Sequence, residues 1–422
     1  MLLLKRRDPD QIARDRRDPV DAATLAEAKF IVDDVRARGR AALVEHAERL
    51  GDLKPGQAVV VDRAGLRRAL EQLPASQRVL LESAAERISA FARAQRSCLK
   101  DFDMPVLGGV AGHRVAPVAR AGCYAPGGRF PLPSSVLMTA LTARASGVSE
   151  VIVASPRPAL ATLAAAALAD ADALLAVGGA QAIAALAYGA GQDLPPVDLI
   201  VGPGNRWATA AKMVVSGTVG IDMLAGPSEV LIIADAAADP RLIAADLLAQ
   251  AEHDADAVPM LVTNSGLLLD TVEEELERQL VDLPTAAIAR QALVNGFAAV
   301  VATIDKAIEL SDRLAPEHLE IMTADSETVA ARCKNYGAIF IGAASAEVFG
   351  DYGLGPNHVL PTAGCARFTA GLSVFTFLRC RTFLHVSPAR GELNRLASET
   401  AEFARLEGLE AHARAAAARI CR

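Results

Sequence analysis

Glu317 and His318 stand side by side in Ala315-Pro-Glu-His-Leu-Glu320. A carboxylate next to an imidazole offers two proton acceptors of different strength, which suits a reaction that removes protons in more than one step. The dipeptide alone is weak evidence, because glutamate is usually a solvated surface residue and histidine often a satisfied polar one. Its meaning depends on the groups that the fold brings to it.

A metal is the first candidate neighbour. Asp239 and Pro240 read as a helix cap and first-turn proline, and the helix they open carries Gln250 and His253 three residues apart on one face, with Glu252 turned elsewhere. An amide oxygen and one imidazole hold a borderline metal weakly, so two more ligands are needed. Asp351 in Phe349-Gly-Asp-Tyr352 and His412 in Glu407-Gly-Leu-Glu-Ala-His412 are donors of the right kind. The competing reading is a set of polar helix ends facing water, and sequence spacing leaves both open. His358, framed by Pro356 and Pro361, sits on rigid backbone and is a better site candidate than His46 in an N-terminal helix. His113 and His385 read as structural.

The elements that must position these residues alternate from about residue 150 onward. Short β-branched runs at Glu150–Ala154, Ala173–Val177, Asp198–Val201, Glu229–Ala234, Pro259–Val262, Ala298–Ala302, Leu319–Met322 and Ala338–Ile341 are separated by Ala/Leu-rich helical patterns. This is the rhythm of βαβ units on parallel sheets. The strands are too many for one small sheet, so they predict an α/β fold of two doubly wound, Rossmann-like parallel-sheet domains, changing over near Ala225-Gly-Pro-Ser-Glu229. Residues 20 to 105 read as mostly helical, 106 to 121 as a hairpin or extended crossing, and the last 50 as a polar, helical appended tail. Three glycine loops, Tyr124-Ala-Pro-Gly-Gly128, Val177-Gly-Gly-Ala-Gln181 and Gly202-Pro-Gly-Asn205, fall around the first set of strands. Ligands of open parallel sheets bind at the carboxyl ends of strands, where glycine admits a close approach and helix N-termini favour phosphate. None of the loops is Gly-x-Gly-x-x-Gly, so a nucleotide crevice and plain turns remain alternatives.

Composition narrows the class. With 422 residues, 52% hydrophobic and 22% charged, the chain can bury ample core in two or more domains. A net charge of -7 offers no general attraction for nucleic acid or anionic membrane. Met1-Leu-Leu-Leu meets Lys5 after three apolar residues, too few for a signal segment, and the start to Arg17 reads as a solvated arm. The apolar run Ala159–Leu168 is half a membrane span and reads as a buried helix. Cys98, Cys123, Cys333, Cys365, Cys380 and Cys421 show no Cys-x-x-Cys spacing, which favours packing roles and a reducing cytoplasm.

Taken in order, the three loops with Pro133-Ser-Ser-Val-Leu-Met138, Ala225-Gly-Pro-Ser-Glu-Val230, Gln250-Ala-Glu-His-Asp254, Pro316-Glu-His-Leu319, Gly350-Asp-Tyr352 with Asn357-His-Val-Leu-Pro361, and Glu407 to His412 resemble the histidinol dehydrogenase family over roughly residues 20 to 420. The resemblance implies NAD- and zinc-dependent oxidation of L-histidinol to L-histidine through a bound aldehyde, the terminal step of histidine biosynthesis. It implies that Gln250, His253, Asp351 and His412 hold zinc, that these four with Ser228, His318, His358 and Glu407 contact substrate, and that Tyr124, Gln181 and Asn205 contact NAD. His318 would then take the alcohol protons and Glu317 activate the water that adds to the aldehyde. It further implies a larger domain of residues 20–122 and 229–372, an NAD-binding domain of 123–228, an arm of 1–19, and a tail of 373–422 that completes the neighbouring site of an intertwined homodimer.

Glu407 and His412 are five residues apart and would diverge by about 140° on a regular helix, so either Gly408 interrupts the helix or the tail lies across the site. The short arm and the segment Phe377–His385 depart from the family pattern, which bears on docking more than on chemistry. The alternatives are a relative oxidising another small amino alcohol or polar diol, a silent zinc- or nucleotide-binding protein, and a metallohydrolase. The paired bases argue against the second, and the three loops against the third.

Overall fold

Two parallel sheets of six strands each organise the chain, as seen in a computed structural model that describes residues 3–12, 20–127, 130–387 and 390–420, the side chains of 390 and 391 excepted. Cys421, Gly128 and most of the candidate arm's second half lie outside the described residues. The chain divides into two units: Met1–Arg93 with Val118–Phe377, and Ala94–Pro117 with Leu378–Arg422. Both six-stranded sheets belong to the first.

The first sheet runs, edge to edge, Val60–Asp62, Ala173–Leu175, Glu150–Ala154, Arg120–Tyr124, Leu199–Val201, Gly220–Ile221. Only Val60–Asp62 is antiparallel to its neighbour. The chain winds outward from Arg120–Tyr124, then crosses to its other side at Leu199–Val201, which opens a switch point between those two strands. The second sheet runs Lys5–Arg6, Phe297–Val300, Val258–Thr263, Glu229–Ala234, His318–Met322, Ala338–Ile341, all parallel. Its switch point lies between Glu229–Ala234 and His318–Met322. The run Val230-Leu-Ile-Ile-Ala234 is fully buried, as a central parallel strand covered on both faces must be.

Three expectations are corrected. The start is not a solvated arm: Leu4 is fully buried, the Leu3 and Leu4 N–H groups donate to the Glu273 carboxylate, and Lys5–Arg6 forms an edge strand beside Phe297–Ala298. The helices Ala22–Arg38, Arg40–Arg49 and Arg63–Gln72 share their core with the first sheet, where Ile31, Val35, Leu43 and Leu66 join Ile183, Leu186 and Ala211. The expected grouping with the second sheet fails because an amphipathic pattern says which face is buried and not what buries it. The tail opens with a nine-residue strand, Leu378–Val386, antiparallel to Gly109–Pro117. That strand pairs in turn with Phe102–Val106 through a turn in which Gly108 takes φ +74°, the hairpin read from the sequence.

Candidate active site

Glu317 precedes the strand His318–Met322, and Glu229 opens its neighbour, so the two side chains that could move protons lie at the amino ends of the second sheet. The helix Ile304–Leu314 ends at Ala315 in the left-handed region, φ +54°, and Pro316 turns the chain into the sheet. Both residues of the pair are buried. Glu317 Oε2 accepts from the Glu229 N–H at 2.9 Å and lies 3.7 Å from His318 Nδ1. His318 Nδ1 is 3.1 Å from the Glu229 carbonyl oxygen, which assigns the ring proton to Nδ1. Nε2 is then a lone pair, buried and without a protein partner. Burial lowers His318 to about 3 and pushes the Glu317 carboxyl well above its ordinary range. Burial likewise raises Glu229 to about 7.

Two of the anticipated metal ligands, His253 and Asp351, meet beside this pair. Asp239 caps the helix Pro240–Ala251 through the Arg241 N–H, as its sequence position predicts, but the helix stops at Ala251, so Gln250 is buried in its last turn while His253 stands exposed in the turn beyond and not on a shared helical face. Gln250 is fully buried with both amide atoms unpartnered. His253 Nε2 is 3.6 Å from Asp351 Oδ2. Ligand atoms of His253, Asp351 and Glu347 lie within 4.8 Å of one another. Sequence reasoning missed Glu347, although its spacing of four from Asp351 puts both on one face of the helix Glu347–Asp351. Glu347 Oε1 also lies 3.6 Å from His318 Nδ1. Burial raises Asp351 to about 6 and takes Glu347 well above its usual range, with Asp351, Glu320 and Glu317 adding to the latter. Crowded carboxyls with one imidazole, and an orphaned buried amide three residues before that imidazole, fit a divalent cation, whose charge would offset the crowding.

His358 completes this side of the unit. Its Nδ1 is 3.1 Å from the Asp351 carbonyl oxygen and its Nε2 3.4 Å from Ser135 Oγ, while Asn357 Nδ2 donates to the Met138 carbonyl, so the loop is pinned to the helix Pro133–Ser146. Burial lowers His358 to about 4. Glu407 and His412 belong to the second unit. Gly408, at φ +77°, separates the helices Arg390–Leu406 and Glu410–Ala417, and the Leu409 N–H donates to the Ala404 carbonyl in a Schellman ending, so the interruption alternative holds.

The three glycine loops follow strands of the first sheet at their carboxyl ends, two of them flanking the switch point. The Tyr124 hydroxyl is buried and accepts from the Gly179 N–H at 3.1 Å. Asn205 caps the helix Arg206–Val215 through the Trp207 and Ala208 N–H groups. Gly202, φ +114°, could not carry a side chain: a Cβ would stand 2.0 Å from the Tyr124 carbonyl oxygen. Its N–H donates to Asp222 Oδ2 at 2.7 Å, and the buried Lys212 bonds both Asp222 and the Gly202 carbonyl. Asp52, which the sequence did not single out, accepts from the Gly178 N–H at 2.9 Å and from Gln181 Nε2 at 3.1 Å. The amino end of the helix Gly179–Tyr188 therefore already faces a carboxylate, contrary to a phosphate role for that particular end. A cavity of about 210 Å³ lined by Gly127, Pro131, Pro156, Arg157 and Thr162 opens at the end of Glu150–Ala154.

Buried bases beside a cation-binding set on one sheet, and a backbone-lined crevice on the other, are the parts of a dehydrogenase, and comparison with known proteins supports that class. The histidinol dehydrogenase profile matches residues 14–420. The chain is 48% identical over 385 residues to a histidinol dehydrogenase of Thermus thermophilus, covering 91% of this chain and 92% of that one. It is 45% identical over 401 residues to one of Rhizobium meliloti, covering 94% and 92%. The crystal structure of histidinol dehydrogenase from Elizabethkingia anophelis superposes with a TM-score of 0.91 at 30% identity, over 99% of this chain and 98% of that chain. The chain belongs to the histidinol dehydrogenase family, and so is an oxidoreductase of histidine biosynthesis. Among the described residues no helix is long and apolar enough to cross a membrane.

Proposed function

We propose that the protein oxidises L-histidinol to L-histidine in two steps through bound L-histidinal, using NAD and one zinc ion per subunit in the cytoplasm. The observation that carries this reading is His318 Nε2, a buried lone pair with its tautomer set by the Glu229 carbonyl, next to a second acid-base group in Glu317. His318 takes the alcohol proton as hydride departs, and acts again in the second oxidation. Glu317 takes a proton from the water that adds to the aldehyde, and burial strengthens its hold on that proton. Gln250, His253 and Asp351 supply the zinc ligands, with Glu347 beside them. Zinc, when bound, supplies a Lewis-acid anchor for substrate nitrogen. Ser228 and His358 contact the substrate, and Tyr124, Gln181 and Asn205 the dinucleotide.

Residues 123–228, with the N-terminal helices packed on them, serve as the NAD-binding domain, residues 229–372 carry the zinc and most substrate residues, and the segment 373–422 is the dimerisation tail. In a homodimer, that segment of one protomer brings Glu407 and His412 to its partner's site. The assay is purified protein with zinc, NAD and L-histidinol. The reading predicts two NADH per histidinol and no free aldehyde, with Glu317→Gln yielding the first NADH but stalling before the second. Turnover with another amino alcohol but not with histidinol would overturn the substrate assignment.

A further inference from the structure

We propose that Asp52 is a positioning residue for the dinucleotide crevice: it fixes the Gln181 amide so that Oε1 meets a neutral N–H or O–H donor of the ligand, and it reserves the adjoining helix end from phosphate. The proposal rests on the NAD reading above and assigns a task to a residue outside the glycine loops.

The argument starts from what a carboxylate can do. Asp52 sits in the connection after the helix Arg40–Arg49, its own N–H donating to the Ala47 carbonyl at 2.8 Å. It is 9% exposed, and its Oδ2 receives both the Gly178 N–H and Gln181 Nε2. An ionised carboxylate only accepts, so the Gln181 amide must offer it nitrogen and turn its oxygen away. Gln181 is 2% exposed and its Oε1 has no protein partner. A Cβ on Gly179 would stand 3.2 Å from that oxygen, which places Oε1 against the glycine loop, where Gly179 takes φ +61° and gives its N–H to Tyr124. The loop has little freedom to move off, since a Cβ on Gly178 would lie 2.7 Å from Pro156. A buried acceptor held in one orientation without a partner is unfavourable until a donor reaches it. The doubly esterified pyrophosphate of a dinucleotide has no such donor at neutral pH and would meet the Asp52 charge. A nicotinamide carboxamide and a ribose hydroxyl both have one.

The test is calorimetric titration of NADH into the zinc-loaded enzyme and its variants, with KM values for NAD and histidinol. Asp52→Ala and Gln181→Ala should each weaken NADH binding by about tenfold, and the double variant should be within about twofold of Gln181→Ala. Asp52→Asn, whose amide oxygen still accepts from both donors, should stay within about threefold of the parent. The KM for histidinol should move less than about twofold in Asp52→Ala, which separates positioning from general loosening. A dinucleotide with acetyl in place of carboxamide, or one with a 2′-deoxyribose, should bind parent and Asp52→Ala alike, and whichever does so names the donor. Unchanged NADH affinity in Asp52→Ala, equal losses in Asp52→Asn and Asp52→Ala, a parallel rise in histidinol KM, or no analogue that erases the difference would each overturn the proposal. A parent enzyme that binds NADH but does not oxidise histidinol would refute the proposed function and leave the assignment of Asp52 standing.

Discussion

The two six-stranded sheets wind alike and gather their notable buried polar groups at opposite ends. In the first, the features that invite a ligand are glycine turns at the carboxyl ends of strands, braced by buried polar groups that bond one another, Asp52 with Gly178 and Gln181 and Asp222 with Gly202 and Lys212, and leave Gln181 Oε1 buried without a protein partner. In the second, the reactive side chains gather at the amino ends, and several of their polar atoms, His318 Nε2, Glu347 Oε1 and Oε2 and the Gln250 amide, have no protein partner. The charges of the helices explain the division. A helix that follows a parallel strand starts at that strand's carboxyl end and finishes at the amino end of the next, so strand carboxyl ends meet partly positive helix starts and amino ends meet partly negative helix finishes. An anionic dinucleotide suits the first setting. A divalent cation suits the second, where the helix Pro240–Ala251 finishes beside Gln250 and His253.

If that division is right, damage to one end should leave the other working. The largest effect belongs to His318→Asn, which should lower turnover by about 10²- to 10⁴-fold by removing the base, measured as NADH formation at saturating substrates. A variant that kept most of its rate would take the proton chemistry away from the second sheet. Next, Glu347→Gln should weaken zinc binding by about 10- to 100-fold, read by competition with a coloured chelator, as loss of a carboxylate beside the metal ordinarily does. No change there would leave Glu347 a neighbour of the site and not part of it.

The smallest effect lies in the frame of the first sheet and concerns pH. Burial alone would raise Asp172, but the Val151 N–H, Arg63 and Arg144 outweigh it and hold the carboxyl below its ordinary value. Its folded pKa is thus below the unfolded one, so its stabilisation is present above roughly pH 4 and is lost as pH falls through the folded value. Asp172→Asn should therefore flatten the acid limb of a denaturation-midpoint profile while leaving NADH formation nearly unaltered. An unchanged acid limb would mean that the carboxyl is equally paired when unfolded.

Much of the candidate site could be read from residue order, because its signals are local. The Asp239-Pro240 cap, the prolines around His358 and the glycine pairs all act within a few residues of themselves. Asp52 and the edge strand at Lys5–Arg6 act across 126 and roughly 290 residues, through bonds to Gly178 and beside Phe297, and nothing near them in sequence announces it. Glu347 is the intermediate case, with a four-residue partner in Asp351 that becomes meaningful only once His253 stands opposite. The N-terminal helices are the same case, since Ile31 and Leu43 show that a face is buried without naming Ile183 and Leu186 as its cover.

The most direct test of the division is one calorimetric titration of NADH into two zinc-loaded variants, Gly202→Ala and His318→Asn. A Cβ at Gly202 would stand 2.0 Å from the Tyr124 carbonyl oxygen and force the crevice loop to shift, whereas His318 lies on the other sheet. The account predicts NADH affinity lowered by more than about tenfold in Gly202→Ala and within about twofold of the parent in His318→Asn. Parent-like binding in Gly202→Ala, or a loss in His318→Asn as large, would contradict it.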